Sequence, residues 1–253
     1  SSLAIEKFGD RDSPEAKAAE KAVDAAYKAA LSDEDSVMHA KIAGFESAKR
    51  TLSEAAAHYE KVMVRELKKL PIMDFCRETK GLGETSLATL IAEATVINRE
   101  DNRYGRAGEV FAVGDFRSVS ALWKRLGTAV IGGKRQGQPG QGATADDWVE
   151  HGYKPKRRSV GYVAREHLIG SMGLWRPAPG EDVDANPDLT EYQRLYAHRA
   201  RLEAVKLDMP VETRVNAKGV AKESYKGHVC NRAHRYVEKR MTRDLYAYWR
   251  RCM

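Results

Sequence analysis

Cysteine is scarce in this chain and long apolar runs are missing. The 253 residues include three cysteines, Cys76, Cys230 and Cys252, an odd number spread far apart. Since a disulfide framework needs paired cysteines, the sequence predicts reduced thiols. No apolar run reaches about 18 residues, and no signal-peptide pattern is present. We therefore expect a cytoplasmic protein with no membrane segment.

Motifs of familiar enzymes are also missing. The sequence has no P-loop and no complete G-x-G-x-x-G motif after a strand, and no histidine has a convincing triad context. His228, Cys230 and His234 are weak candidates for a metal site because the pattern lacks a clear fourth ligand. The sequence therefore predicts no cofactor and no metal.

Acidic residues are fewer than basic residues in this chain. Lysine and arginine number 43 against 36 aspartates and glutamates, which gives a formal net charge of +7. An excess of positive charge favours a polyanionic partner and says nothing about the fold. Nucleic acid is the partner that this balance suits best.

The N-terminal part has the signals of helices. Ser13-Pro14-Glu15 combines an N-cap, a proline at the first helical position and an acid in the first turn, so a helix should run to about Leu31. A second helix is predicted from about Ser32 to Leu70. Its apolar residues follow a heptad spacing that Lys49 and Glu66 interrupt: Met38, Ile42, Phe45, Leu52, Ala56, Tyr59, Met63 and Leu70. The pattern favours either a coiled-coil arm that forms a homodimer or a helical bundle within one chain.

A glycine-containing turn follows this arm. Pro71–Thr79 predicts a short helix, and Gly81-Leu82-Gly83 leads into an amphipathic helix that reaches about Glu93. Two short helices joined in this way form a helix-hairpin-helix, in which the amides of Gly81 and Gly83 can bind a phosphate at a helix N-terminus. An ordinary glycine C-cap between two core helices is the alternative.

Two basic stretches lie further along the chain. The Gly- and Gln-rich segment Gly132–Asp147 predicts either a plain flexible loop or a loop in which Lys134 and Arg135 approach a sugar-phosphate backbone. The run 154–159 begins a predicted helix, and cations there oppose the helix dipole. We therefore expect Arg157, Arg158 and, two turns later, Arg165 to face outward, and these three and Lys156 to contact phosphate, with a solvated charge run as the alternative.

The last predicted helix is Asn231–Cys252. Its apolar stripe faces inward, while basic residues cover the outer faces. Arg235, Arg240 and Arg243 are the candidates for phosphate contact in this helix. Trp249 is expected in the core.

Three motifs occur in an order that resembles a known family. They are G-L-G-E-T-S-L-A-T-L-I-A-E, G-D-F-R-S-V-S-A-L-W-K-R-L-G and K-P-K-R-R-S-V-G-Y-V-A-R-E-H-L-I-G-S, which begin at Gly81, Gly114 and Lys154. This order resembles the C-terminal, helix-hairpin-helix domain of the insertion-sequence 110/116/902 group of transposases. The likeness covers roughly residues 33–172. It implies a DNA-recombination protein of a mobile element or phage.

The chain also departs from that family. The family has an N-terminal RNase H-like domain with four acidic metal ligands, whereas this chain begins in helices. The family's nucleophilic loop serine is missing as well, because Thr128–Pro155 contains no serine. Thr144 offers a hydroxyl there, and Asp146 and Asp147 could hold Mg²⁺ beside a phosphate, although adjacent acids on a loop are usually solvated. The resemblance therefore implies the binding scaffold without the recombinase chemistry.

The sequence as a whole predicts a mainly α-helical fold. We expect a helical arm over residues 1–70, a helix-hairpin-helix domain over 71–175 and a basic helical region over 176–253. The function expected is binding of nucleic acid, with duplex DNA favoured and RNA as the alternative, by a transposase-derived protein without catalysis. Two other hypotheses are an active recombinase or nuclease that needs a partner domain, and a helical module that binds another protein.

Overall fold

The computed structural model describes residues 13–170, 177–208, 211–215 and 219–252. The fold is mainly α-helical, as the sequence predicts. The chain divides into two compact units, Ser1–Lys61 and Val62–Met253. Of the helices in the described ranges, none has both the length and the apolar character that crossing a bilayer requires.

The first unit contains helix α1 (Pro14–Ser32) and most of helix α2 (Val37–Leu67). The Ser13 hydroxyl caps α1 by accepting a hydrogen bond from the amide of Ala16 at 3.1 Å, as its sequence signal predicts. The Tyr27 hydroxyl of α1 donates to the carboxylate of Glu46 in α2. Helix α2 ends at Leu67, three residues before the predicted end, and residues 68–72 form turns that lead into the next helix.

The second unit begins its core with a helical hairpin. Helices α3 (Met73–Glu78) and α4 (Glu84–Ala94) occupy the residues predicted for the helix-hairpin-helix. In the turn between them, Gly81 has a φ of +94°. A Cβ on Gly81 would lie 3.0 Å from the carbonyl oxygen of His167, so glycine is also what allows this turn to pack on the helix that contains His167.

Short elements follow the hairpin. Strand β1 (Val96–Ile97) pairs antiparallel with β2 (Val110–Phe111), with Val96 opposite Phe111. A 3₁₀ turn at Val113–Asp115 leads into helix α5 (Val119–Arg125). Ser118 caps α5.

The loop predicted over Gly132–Asp147 is wrong in part. Strand β3 (Val130–Ile131) pairs with β4 (Lys134–Arg135) across a Gly132-Gly133 turn in which both glycines have positive φ, and helix α6 (Ala145–His151) follows. The buried amide of Gln136 holds this region. It accepts from the amide of Ala129 at 3.2 Å and donates to the carbonyls of Lys124 and His151, both at 3.0 Å. The sequence predicts a loop here because the segment has few apolar residues. Hydrogen bonds of Gln136 give it an ordered structure in their place.

The C-terminal half supplies the central helix of the core. It contains α7 (Pro155–Ile169), α8 (Glu191–Lys206), the hairpin of β5 (Glu212–Val215) with β6 (Ala221–Ser224), and α9 (Gly227–Cys252). Helix α9 packs against α8, α7 and α5. Trp249 is buried, as predicted. The predicted boundary at residues 175 and 176 lies outside the described residues, and elements on both sides of it share one core.

Candidate nucleic-acid interface

A concave surface of about 900 Å³ lies among β2, α5, α6 and the start of α7. We call it the cleft. Aromatic side chains form one group of its lining residues: Tyr104, Phe111, Phe116, Trp148 and Tyr153. Basic side chains form the second group: Arg103, Arg117, Lys124, Arg125, Lys154 and Arg157. The cleft therefore combines ring faces with a dense positive charge.

Three of these rings pack together as one aromatic cluster. The centroids of Phe111 and Phe116 are 4.9 Å apart with an edge-to-face angle of 87°, and those of Tyr104 and Phe111 are 5.3 Å apart. Phe116 is buried, while Tyr104 and Phe111 are partly exposed. Tyr104 also meets Phe116 edge to face, and contacts of this kind fix ring orientation, so the two partly exposed rings are held in place.

Two guanidinium groups contact the Tyr104 ring. The Cζ atom of Arg103 is 4.8 Å from the ring centroid and that of Arg125 is 5.9 Å from it. Arg125 is held by the backbone, because its Nε donates to the carbonyl of Ala94 at 3.3 Å and its Nη2 to that of Thr95 at 3.0 Å. Each guanidinium is attracted by the electron-rich face of the ring, which is a cation–π contact.

Positive charge in the cleft is only partly neutralised. Burial and the neighbouring charge of Arg157 lower the pKa of Arg125 to about 10. Burial also lowers the pKa of Arg157, against the attraction of Glu93, whose carboxylate is 3.8 Å from the Arg157 Nε atom. Of the described residues that line the cleft, only Asp115 is acidic, and its carboxylate accepts from the amide of Ala112 at 2.6 Å. The electrostatics of the cleft therefore suit an anion.

The predicted outward direction of three α7 arginines is wrong. The side chains of Arg157, Arg158 and Arg165 are 11%, 12% and 3% exposed. Each arginine is neutralised inside the fold: Arg157 by Glu93, Arg158 by Glu238 of α9, and Arg165 by Glu166 at 2.5 Å. Small residues on α7 explain the difference, because Gly161 is buried against Glu238 and lets α9 approach the helix closely. Lys156 points outward, with 76% of its side chain exposed, and its phosphate contact stays a prediction.

The remaining predicted phosphate contacts lie at several places. Gly81 and Gly83 are exposed in the α3–α4 turn, and Gly83 is the N-cap residue of α4. Lys134 and Arg135 are exposed on strand β4. On α9, Arg240 bonds Asp244 at 2.9 Å, and Arg243 lies 3.4 Å from the same carboxylate. Phosphate contact by these residues stays a prediction, and the acids beside Arg240 and Arg243 weaken it there.

Thr144 and Asp147 have a structural role as the N-terminal cap of α6. The Asp147 amide donates to the Thr144 hydroxyl at 3.3 Å, and the Thr144 amide donates to the Asp147 carboxylate at 2.7 Å. This reciprocal pair is a capping box. The hydrogen bonds from the Thr144 amide and hydroxyl lower the pKa of Asp147. Asp146 lies exposed in the first turn of α6, where an acid favours the helix dipole.

The three metal-ligand candidates are not brought together. His228 is exposed, whereas Cys230 and His234 are buried. The Cys230 thiol lies 3.4 Å from the carbonyl of Tyr225, and the His234 ring stacks on Tyr196 with centroids 4.8 Å apart. No group of three or more His, Cys, Asp or Glu residues suited to a metal ion occurs within the described parts of the chain.

Sequence reasoning missed the aromatic half of the cleft. Residues 98–109 are polar and contain glycine, and Arg103 in this segment is exposed. The available signal was aromatic residues on both sides of polar, glycine-containing segments, at Tyr104, Phe111, Trp148 and Tyr153. That signal shows that rings are present, but it does not show that residues so far apart in sequence share one surface.

No family model, curated protein or solved structure matches this chain. The resemblance to the insertion-sequence transposases therefore rests on its motifs alone and stays a hypothesis.

Proposed function

We propose that this chain binds nucleic acid through the cleft. The supporting observation is that five aromatic and six basic side chains line one concave surface with a single carboxylate. Aromatic faces stack on nucleobases with about 1–3 kcal/mol per base, and lysine and arginine neutralise phosphates. The cleft offers both kinds of contact within reach of one short stretch of a nucleic-acid chain.

The preferred form is a strand with unpaired bases. In a duplex the bases are stacked on one another, so ring faces inside a cleft have no base surface to contact. In single-stranded DNA, or in a loop of RNA, the bases are free to stack on protein side chains. The sequence favoured duplex DNA, whereas the aromatic lining of the cleft supports unpaired nucleotides.

A protein-binding groove is less consistent with this surface. Aromatic residues and arginine are common at protein interfaces and lysine is depleted there, but the cleft is lined by four arginines and two lysines with only one carboxylate among its described lining residues, an excess of positive charge that suits a polyanion better. The transposase relationship is a hypothesis that agrees with the proposal but is not needed for it. The absence of catalysis and the cytoplasmic location are likewise hypotheses.

Fluorescence anisotropy with labelled ligands tests the proposal. Single-stranded DNA, a duplex of the same sequence and a structured RNA with a loop are titrated with the protein at several salt concentrations. We expect binding to single-stranded DNA and to the loop-containing RNA, tighter than to the duplex, with affinity that falls steeply as salt rises. No binding to any of the three at low salt would contradict the proposal.

We also propose that helix α2 pairs with α2 of a second copy of this chain. Met38, Phe45, Leu52 and Tyr59 repeat every seven residues, and all four side chains are between 52% and 77% exposed. A heptad stripe is self-complementary, since in a parallel pair each residue meets its own equivalent. The helix is 31 residues or ~46 Å long, which gives the pair several turns of contact.

Changing Leu52 to glutamate is expected to abolish this pairing, because it puts two like charges opposite each other in the seam. Size-exclusion chromatography with light scattering should give a dimer for the unmodified protein and a monomer for Leu52→Glu. Ser47→Glu, on the outer face of the same helix, is the matched control and should stay dimeric. A monomeric unmodified protein at tens of micromolar would overturn the proposal.

A further inference from the structure

A second basic pocket, separate from the cleft, lies between α8 and α9 beside strand β3 and has a volume of about 270 Å³. Four cations line it: Arg199, Arg232, Arg235 and Lys239. Of the described residues in its lining, Glu203 alone is acidic. We call it the Arg235 pocket.

The single carboxylate is already engaged. Glu203 forms ion pairs with Arg199 and, at 3.2 Å, with Arg232. The Arg199 guanidinium also lies over the Tyr236 ring, 4.6 Å from its centroid. These contacts hold the two arginines in place and leave Glu203 little capacity for further cations. Arg235 and Lys239 are therefore not neutralised from within the pocket.

Two arginines of the pocket have a buried donor atom without a hydrogen-bond partner among the described residues, Nε of Arg199 and Nη2 of Arg235, and Arg199 is already paired with Glu203. A buried donor left unpaired costs about 1–3 kcal/mol, and more when it is charged. The nearest acid on the helix of Arg235 is Glu238, whose Oε1 atom is bonded to Arg158, while its buried Oε2 atom forms no hydrogen bond to Arg235 or to any other described residue. Burial and the charges of Arg135 and Arg158 lower the pKa of Arg235 to about 10, while Glu238 acts in the opposite direction.

Lys239 adds a cation with a fixed position. Its ammonium lies 4.5 Å from the centroid of the Trp123 ring. The Trp123 Nε1 atom donates to the Lys239 carbonyl at 3.2 Å, which ties the ring to the same turn of α9. Burial lowers the pKa of Lys239, and the charge of Arg235 contributes to this. Two cations that repel each other are thus held at one small pocket.

We propose that the Arg235 pocket binds a phosphate group. The planar guanidinium of Arg235 presents a fork of donors that matches two phosphate oxygens, and Lys239 supplies a compact point charge beside it. A bound phosphate satisfies the buried donor of Arg235 and removes the repulsion between the cations. The phosphate belongs either to a nucleic-acid backbone or to a free phosphate or pyrophosphate ion. The inference does not depend on the cleft, because a free ion tests it without any polymer.

Isothermal titration calorimetry with inorganic phosphate and with pyrophosphate, at constant ionic strength, is the first arm of the test. We expect saturable binding to the unmodified protein and a loss of about tenfold or more in affinity for Arg235→Gln, as charge-assisted hydrogen bonds disappear. Arg250→Gln is the matched control. Arg250 lies on the same helix and bonds the Tyr246 hydroxyl at 3.1 Å, outside the pocket, so its loss should leave binding unchanged.

The second arm uses single-stranded oligonucleotide at several salt concentrations. If the pocket binds a backbone phosphate, Arg235→Gln weakens oligonucleotide binding. The slope of the logarithm of the binding constant against the logarithm of salt concentration then falls by about the amount that one phosphate contact contributes. If the pocket binds a free ion, pyrophosphate binding is lost and oligonucleotide binding is unchanged. The Arg235→Gln variant should fold, because the substitution relieves charge repulsion. A rise in the melting temperature of the unmodified protein when pyrophosphate is added is a further readout that needs no variant. No saturable binding of either ion, together with unchanged oligonucleotide affinity for Arg235→Gln, would overturn the proposal.

Discussion

Replacing Glu238 with glutamine is expected to destabilise the protein by about 3–5 kcal/mol, because it leaves a buried arginine without its counter-ion. The Glu238 side chain is 1% exposed and forms an ion pair with Arg158, whose side chain is 12% exposed. Burial raises the pKa of Glu238, while the charges of Arg158, Arg165 and Arg235 oppose that rise. Glutamine keeps the shape and removes the charge. Denaturant unfolding followed by tryptophan fluorescence measures the effect.

Two variants control this experiment. Glu212→Gln removes a carboxylate that pairs with Arg214 on the surface, and the expected change is within about 0.5 kcal/mol. Combining Glu238→Leu with Arg158→Met removes both buried charges and should recover most of the stability, since well-packed apolar pairs often replace buried ion pairs without loss. A loss below about 1 kcal/mol for Glu238→Gln alone would show that the pair does not hold α7 to α9.

Removing two rings from the cleft should weaken binding to single-stranded DNA by about 100-fold. Tyr104→Ala and Trp148→Ala each delete an aromatic face, and one stacked base is worth about 1–3 kcal/mol. The two residues lie on different elements of the cleft, so their effects should be roughly additive. Anisotropy titrations of the double variant measure the loss, and circular dichroism checks that helix content is unchanged.

The matched control for this pair is Tyr162→Ala, which removes a ring that is 49% exposed on α7 and lies outside the cleft. Its affinity should equal that of the unmodified protein. Equal losses for the control and the double variant would point to a general effect on folding. Unchanged affinity for the double variant would contradict base stacking in the cleft, and binding would then rest on electrostatic contacts alone.

Local signals predicted much of the fold. Ser13-Pro14 begins a helix where its capping chemistry indicates, and the glycines at 81 and 83 mark the turn between α3 and α4. These features succeed because the interactions behind them lie within a few residues. The hairpin β3–β4 was missed because its stability comes from Gln136, a polar residue whose burial depends on carbonyls of α5 and α6.

The candidate site was harder to predict than the fold. Arg158 looked like an outward phosphate contact, yet its counter-ion is Glu238, 80 residues further along the chain. Periodicity assigns a residue to a helix face but does not say which neighbour covers that face. The cleft was hard to predict for the same reason, because its rings come from three segments that only tertiary packing brings together. The composition shows that the protein is basic, but it does not show which lysines and arginines form ion pairs inside the fold and which stay unpaired.

Photo-crosslinking tests the central claim, that the cleft holds nucleobases, most directly. A single-stranded oligonucleotide with a halogenated pyrimidine is irradiated in complex with the protein, and the crosslinked peptides are identified by mass spectrometry. The account predicts crosslinks in the peptides that contain Tyr104, Trp148 or Tyr153, and their loss in excess unlabelled competitor. Crosslinks confined to peptides outside the cleft would contradict it.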